Sequence, residues 1–83
     1  MSYQLIWDEK ALSALEKLEK GISERIMKKL SLFINNPFSF DIKKLKGREE
    51  YRLRVGDYRI ILEIYGNIIS VLNIGHRSKI YED

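Results

Sequence analysis

One stretch, Tyr51 to Tyr65, constrains this chain more tightly than any other. It reads YRLRVGDYRIILEIY and alternates apolar and charged side chains on either side of a Gly-Asp pair. In Tyr51-Arg52-Leu53-Arg54-Val55, Tyr51, Leu53 and Val55 point one way and Arg52 and Arg54 the other, the period of a strand buried on one side only. Gly56-Asp57 makes a two-residue turn, with glycine supplying the positive φ that such turns demand. A turn this tight pairs Val55 with Tyr58, Arg54 with Arg59 and Leu53 with Ile60, so Arg52, Arg54 and Arg59 share a face. Like charges directly opposite one another cost a few tenths of a kcal/mol up to about 1 kcal/mol. Two accounts of that cost stay open at this point. One is an exposed basic strand whose side chains splay into water and guard a sheet edge. The other is a site for polyanionic phosphate, which the planar donor fork of arginine suits.

The hairpin extends into a further strand. Gly66-Asn67 permits a second two-residue turn, and Ile68 to Ile74 reads as the next strand. Continuing the register pairs Ile64 with Ile69 and Leu62 with Val71. One sheet face then carries Tyr51, Leu53, Ile60, Leu62, Ile64, Ile69 and Val71. The other carries the arginines together with Ile61, Leu72, Ile74 and Ile68, apolar side chains that point to a partner surface, to cover by the chain's own termini, or to a bulge that changes the register. An uninterrupted ladder sets Ile74 opposite Arg59 and brings His76 and Arg77 close to the arginine face.

Ahead of the hairpin, Tyr3 to Trp7 is a short β-favouring run and the first strand. Asp8 follows as N-cap with Glu9 in the first turn. Leu12, Leu15 and Leu18, flanked by Ala11 and Ala14, form the apolar stripe of a first helix that Gly21 ends or bends. Ile22, Ile26, Leu30, Phe33 and Ile34 form the stripe of a second helix, which Pro37 stops. Residues 37 to 50 read as a loop, with a short turn of helix or strand around Leu45. The expected architecture is α+β: an N-terminal strand and a helical hairpin packed on one face of an antiparallel sheet.

With 83 residues, 45% hydrophobic and 33% charged, the chain is expected to form one folded domain, residues 1–83, rather than a disordered segment. Its net charge of +3 says little, but its distribution says more. Between Lys43 and Arg59 the cations Lys43, Lys44, Lys46, Arg48, Arg52, Arg54 and Arg59 outnumber Glu49, Glu50 and Asp57, a field that attracts nucleic acid or an acidic protein segment. The absence of cysteine excludes a disulfide scaffold and thiolate metal sites, and a single histidine argues against a histidine-rich centre; no cofactor or metal is expected. No apolar run reaches the length of a membrane span and the first residues lack a signal-peptide pattern, so a cytoplasmic protein without membrane partners is expected.

At these residues the sequence resembles the RelE/ParE superfamily of microbial toxins, and within it the RelE-type mRNA interferases. The likeness runs through the strand, the helical hairpin, the basic segment ending in KLKG, then YRLRVGDYRII and IGHRSKIY. It implies a microbial-ribonuclease fold, cleavage of messenger RNA in the ribosomal A site, and a RelB-like antitoxin that neutralises the toxin in a hetero-oligomer. Carried over by position, Arg52, Arg54, Arg59, Arg77 and Tyr81 match catalytic positions, while Lys44, Lys46, Arg48, His76 and Lys79 are expected to contact RNA. Arginine stands at hairpin positions that are often lysine in well-known bacterial relatives, and the Arg77 to Tyr81 spacing is shorter than in some of them.

The chemistry implied is attack by the RNA's own 2′-hydroxyl on the adjacent phosphorus, giving a cyclic phosphate and a free 5′-hydroxyl. Arg54, Arg59 and Arg77 suit charge stabilisation, whereas arginine is a poor base because its pKa lies above about 12. Tyr81 suits base stacking or proton transfer, and His76 titrates near neutrality when unperturbed. Two other functions fit the same fold: a ParE-like inhibitor that binds DNA gyrase without catalysis, and an inactive RNA-binding module.

Overall fold

The computed structural model describes residues 3–44 and 49–80. Strand β1 (Gln4–Trp7) leads into helices α1 (Glu9–Glu16) and α2 (Lys20–Phe33), then a 3-10 turn (Pro37–Ser39) and strands β2 (Ile42–Lys44), β3 (Glu50–Val55), β4 (Tyr58–Tyr65) and β5 (Ile68–His76). The strands form one sheet in the order β1-β5-β4-β3-β2. The α+β expectation holds, with one correction: β1 joins the sheet itself, parallel to β5, so the sheet is mixed rather than antiparallel throughout.

Both helices lie on one face of this sheet. Ala11, Ile26, Leu30 and Phe33 from the helices meet Leu53, Val55, Ile60, Leu62, Ile69, Val71 and Ile74 from the sheet, all buried. Burying a side chain of this size contributes about 1.5–3 kcal/mol. The alternation of β3 and β4 thus determines which way each strand faces, and the apolar half turns toward α2.

Three local features differ from the expectation. The helical break falls at Lys17 to Glu19, before Gly21. Lys17 N–H donates to the Ala14 carbonyl at 3.2 Å, and the Glu19 carbonyl already accepts from Ser23 N–H at 2.9 Å, so Gly21 lies in the first turn of α2. There the leading N–H groups lack helical acceptors in any sequence, and glycine is tolerated. Asp8 stands at the head of α1 with its carbonyl accepting from Leu12 N–H at 3.0 Å, but its side chain makes no capping bond. Finally, the segment read as a loop with a short turn of helix or strand around Leu45 contains a strand just ahead of that position, β2, an edge strand whose Ile42, Lys43 and Lys44 pair with Leu53, Arg52 and Tyr51. Three residues rich in lysine carry little strand signal of their own, and pairing with β3 creates the strand. Leu45 lies outside the described residues.

The register of β5 also departs from the simple ladder. Ile64 pairs with Ile69 and Leu62 with Val71 as expected, but a bulge then shifts the ladder so that Ile61 pairs with Asn73, Ile60 with Ile74, Arg59 with Gly75 and Tyr58 with His76. Leu72 is the extra residue. The bulge turns Ile74 into the core, where it is 5% exposed, instead of onto the arginine face. Asn73 Oδ1 accepts from the Ile74 N–H at 2.9 Å, satisfying a backbone donor where the ladder is disrupted.

Candidate nucleic-acid interface

The β3–β4 turn has the geometry its residues demand. Gly56 adopts φ +59°, and Val55, Arg54 and Leu53 pair with Tyr58, Arg59 and Ile60. Arg52, Arg54 and Arg59 therefore project together from the face away from the helices. Pairing of β2 with β3 sets Lys43 opposite Arg52 and adds a cation to that face. Lys44, expected to contact RNA, instead shares the side of Tyr51 and lies 3.8 Å from Glu49. The parity of these two lysines was unreadable without β2. Lys46, Arg48 and Tyr81 lie outside the described residues.

The C-terminal segment meets the hairpin at its tip. Gly75 stands opposite Arg59, and a Cβ at Gly75 would come within 3.1 Å of the Ile80 side chain, so glycine here lets the segment after β5 approach the sheet. Arg77 N–H donates to the Asp57 carbonyl at 2.8 Å, and Arg77 Nε lies 3.7 Å from Asp57 Oδ1. Arg59 Nη1 donates to the carbonyls of Gly56 at 3.2 Å and Tyr58 at 3.1 Å, folding its guanidinium over the turn. Desolvation, followed by the charges of Arg54, Arg52 and Arg77, lowers the Arg59 pKa, while Asp57 acts in the opposite direction. Arginines far apart along the chain thus share one electrostatic field.

His76 does not join them. It pairs with Tyr58, whose neighbours Val55 and Ile60 face the helices, and the two rings meet edge to face at 5.4 Å. The bulge accounts for this shift of one position. Its Nδ1 accepts from Ser78 N–H at 3.1 Å and lies 2.8 Å from Ser78 Oγ, which assigns the ring proton of the neutral imidazole to Nε2. Lys79 is exposed in the turn that follows, its N–H bonded to the His76 carbonyl at 2.9 Å.

Two residues that sequence reasoning missed support the hairpin from the helical layer. Lys29 Nζ donates to the Arg54 carbonyl at 3.0 Å, and Arg25 lies against Gly56, where an added Cβ would be 3.1 Å from its Nη2. Arg25 is exposed and Lys29 half-buried along the edge of the α2 stripe, and nothing in the sequence links either cation to the hairpin. Of the apolar residues expected beside the arginines, Ile74 is in the core, Ile61 is buried, and Leu72 and Ile68 are half-buried. That face is therefore less sticky than the unbroken ladder implied. Chemically, its excess of guanidinium donors suits phosphate oxygens, which accept paired N–H bonds in the plane of the fork. Among the described residues no cluster of three or more His, Cys, Asp or Glu is placed to hold a metal ion.

A two-helix layer on a mixed five-stranded sheet is the α+β fold of solved RelE structures. The sequence pattern described as ParE toxin of type II toxin-antitoxin system, parDE, matches residues 5–81, and the chain belongs to this family. Toxin RelE3 of Methanocaldococcus jannaschii is 38% identical over 72 residues, covering 76% of this chain and 82% of that protein. The mRNA interferase toxin RelE of Escherichia coli K12 is 29% identical, with 100% of this chain and 94% of that protein covered. Among solved structures, the archaeal RelE-RelB complex from Pyrococcus horikoshii OT3 superposes with a TM-score of 0.80 at 27% identity, covering 96% of this chain and 100% of the matched chain.

Proposed function

We propose that this toxin is a ribosome-dependent endoribonuclease that cuts messenger RNA in the A site and is neutralised by a RelB-like antitoxin. The observation that carries this reading is the gathering of Arg54, Arg59 and Arg77 at one hairpin tip, with Arg52 on the same face of the sheet. A protein-binding surface does not need so costly an arrangement of like charges, whereas a scissile phosphate offsets it. The mRNA interferase relative and the RelE-RelB complex support the substrate and the partner.

In this reading the RNA 2′-hydroxyl attacks the neighbouring phosphorus, the P–O5′ bond breaks, and the products are a 2′,3′-cyclic phosphate and a 5′-hydroxyl. The route requires no metal. Arg54, Arg59 and Arg77 stabilise the charge that grows on the phosphorane oxygens, each worth about 3–4 kcal/mol in a favourable geometry. Arg52 and Lys43 hold the flanking backbone. Tyr81 moves a proton or stacks on a base, and Lys79, with the lysine and arginine of residues 46 and 48, adds attraction along the strand. With no strong base among the arginines, the reaction depends on alignment of the message, which the ribosome supplies.

The test is to add the protein to ribosomes stalled on a defined message and map the new ends. Cleavage is expected within the A-site codon, and is expected to vanish when the nucleotide 5′ of the break carries a 2′-deoxyribose. Intact message at saturating toxin would overturn the reading. The ParE name of the matching family favours a second one, gyrase inhibition without cleavage. Under it, a variant lacking Arg54, Arg59 and Arg77 would remain toxic.

A further inference from the structure

We infer that Asp57 is a positioning residue: it docks the segment after β5 onto the hairpin turn and thereby holds the Arg77 guanidinium at the tip shared by Arg54 and Arg59. The inference rests on the nuclease reading above, and it concerns a residue that the family resemblance did not single out. β5 ends at His76, so Arg77 is the first residue beyond the paired ladder and no strand partner fixes its side chain. Asp57 supplies two contacts in its place, the carbonyl accepting Arg77 N–H at 2.8 Å and the carboxylate 3.7 Å from Arg77 Nε. Without the carboxylate, repulsion from Arg54 and Arg59 favours a guanidinium swung out into water.

Asp57 also opposes the charges of Arg54, Arg52 and Arg77 in the field at Arg59. Both side chains of the ion pair are largely exposed, 59% for Arg77 and 66% for Asp57, so its contribution to folding is small. Reaction rate responds differently, because a misplacement of about 1 Å can cost about a hundredfold. Neutralising Asp57 removes a negative charge from the tip and so favours RNA binding, while loosening the group that must meet the phosphorane.

The experiment compares Asp57→Asn and Asp57→Glu, each alone and combined with Arg77→Ala, in single-turnover cleavage on stalled ribosomes. Asp57→Asn is expected to lower the saturating rate about tenfold without raising the half-saturating toxin concentration. In the Arg77→Ala background it is expected to change the rate by less than about twofold, since it acts through the missing group. Asp57→Glu is expected to recover most of the rate. A loss of equal size in both backgrounds, or no loss in either, would overturn the inference. The Arg77 Nε–H resonance supplies a readout independent of activity. In Asp57→Asn it is expected to move toward the position of a freely solvated arginine while the far-UV spectrum stays unchanged, and an unmoved resonance would overturn the inference. Wild-type protein that fails to cleave would sink the nuclease reading, leaving the resonance to decide the role of Asp57.

Discussion

Arg54 faces Arg59 across β3 and β4, a placement that favours neither strand pairing nor burial. Removing one of the two should therefore separate stability from activity. Arg59→Ala is expected to leave the urea midpoint unchanged or raise it, by no more than about 1 kcal/mol, because repulsion is relieved as its bonds to the turn carbonyls are lost. Message cleavage is expected to fall by about 10² to 10³. A parallel loss of both would mean that Arg59 serves the fold. The lowered Arg59 pKa has a defined sign: the charged form is disfavoured in the folded state, and that penalty is relieved only as pH rises through the folded pKa. The lowering starts from the strongly basic range of arginine, so this group adds no pH dependence to stability near neutrality. At this scale the sequence was legible wherever alternation ran unbroken, which assigned Arg52, Arg54 and Arg59 to one face. It was silent on Lys43 against Lys44, whose parity depends on a strand formed only by pairing, and on Lys29, which reaches Arg54 from another layer.

Strand β5 shows what a single extra residue does to an element. Its bulge at Leu72 carries Ile74 into the core and His76 to the helix side. Ile74→Ala is expected to cost about 2–5 kcal/mol in urea unfolding, and Leu72→Ala markedly less. The reverse order would restore the unbroken ladder. A clue was present: an uninterrupted register puts Asn73 on the core face, and a polar side chain there without partners is costly. In the helices, Gly21 is a residue that ends or bends α1 on sequence grounds, yet it sits in the first turn of α2 with nothing within 4 Å of an added Cβ. Gly21→Ala is expected to stabilise the protein by about 0.4–1 kcal/mol, measured by thermal unfolding. A helix-ending glycine at positive φ would give destabilisation instead.

Across the whole molecule, the division of labour is between a helical layer that closes the core and an open sheet face that gathers charge. The class of fold was legible because two periods, alternation in the hairpin and three-to-four spacing in the helices, each demand an apolar partner and find it in the other. The place of β1 was not, since parallel pairing with β5 joins opposite ends of the chain and leaves no local signature. The cationic tip is likewise a long-range product: it needs the turn at Gly56, the bulge in β5 and the contact of Arg77 with Asp57 together. The measurement that tests this account most directly is the single-turnover cleavage rate of the variant carrying Arg54→Ala, Arg59→Ala and Arg77→Ala on stalled ribosomes, alongside its unfolding curve. The account predicts a folded protein whose rate has dropped by at least about 10³. A folded variant that cuts within about tenfold of the wild-type rate would contradict it.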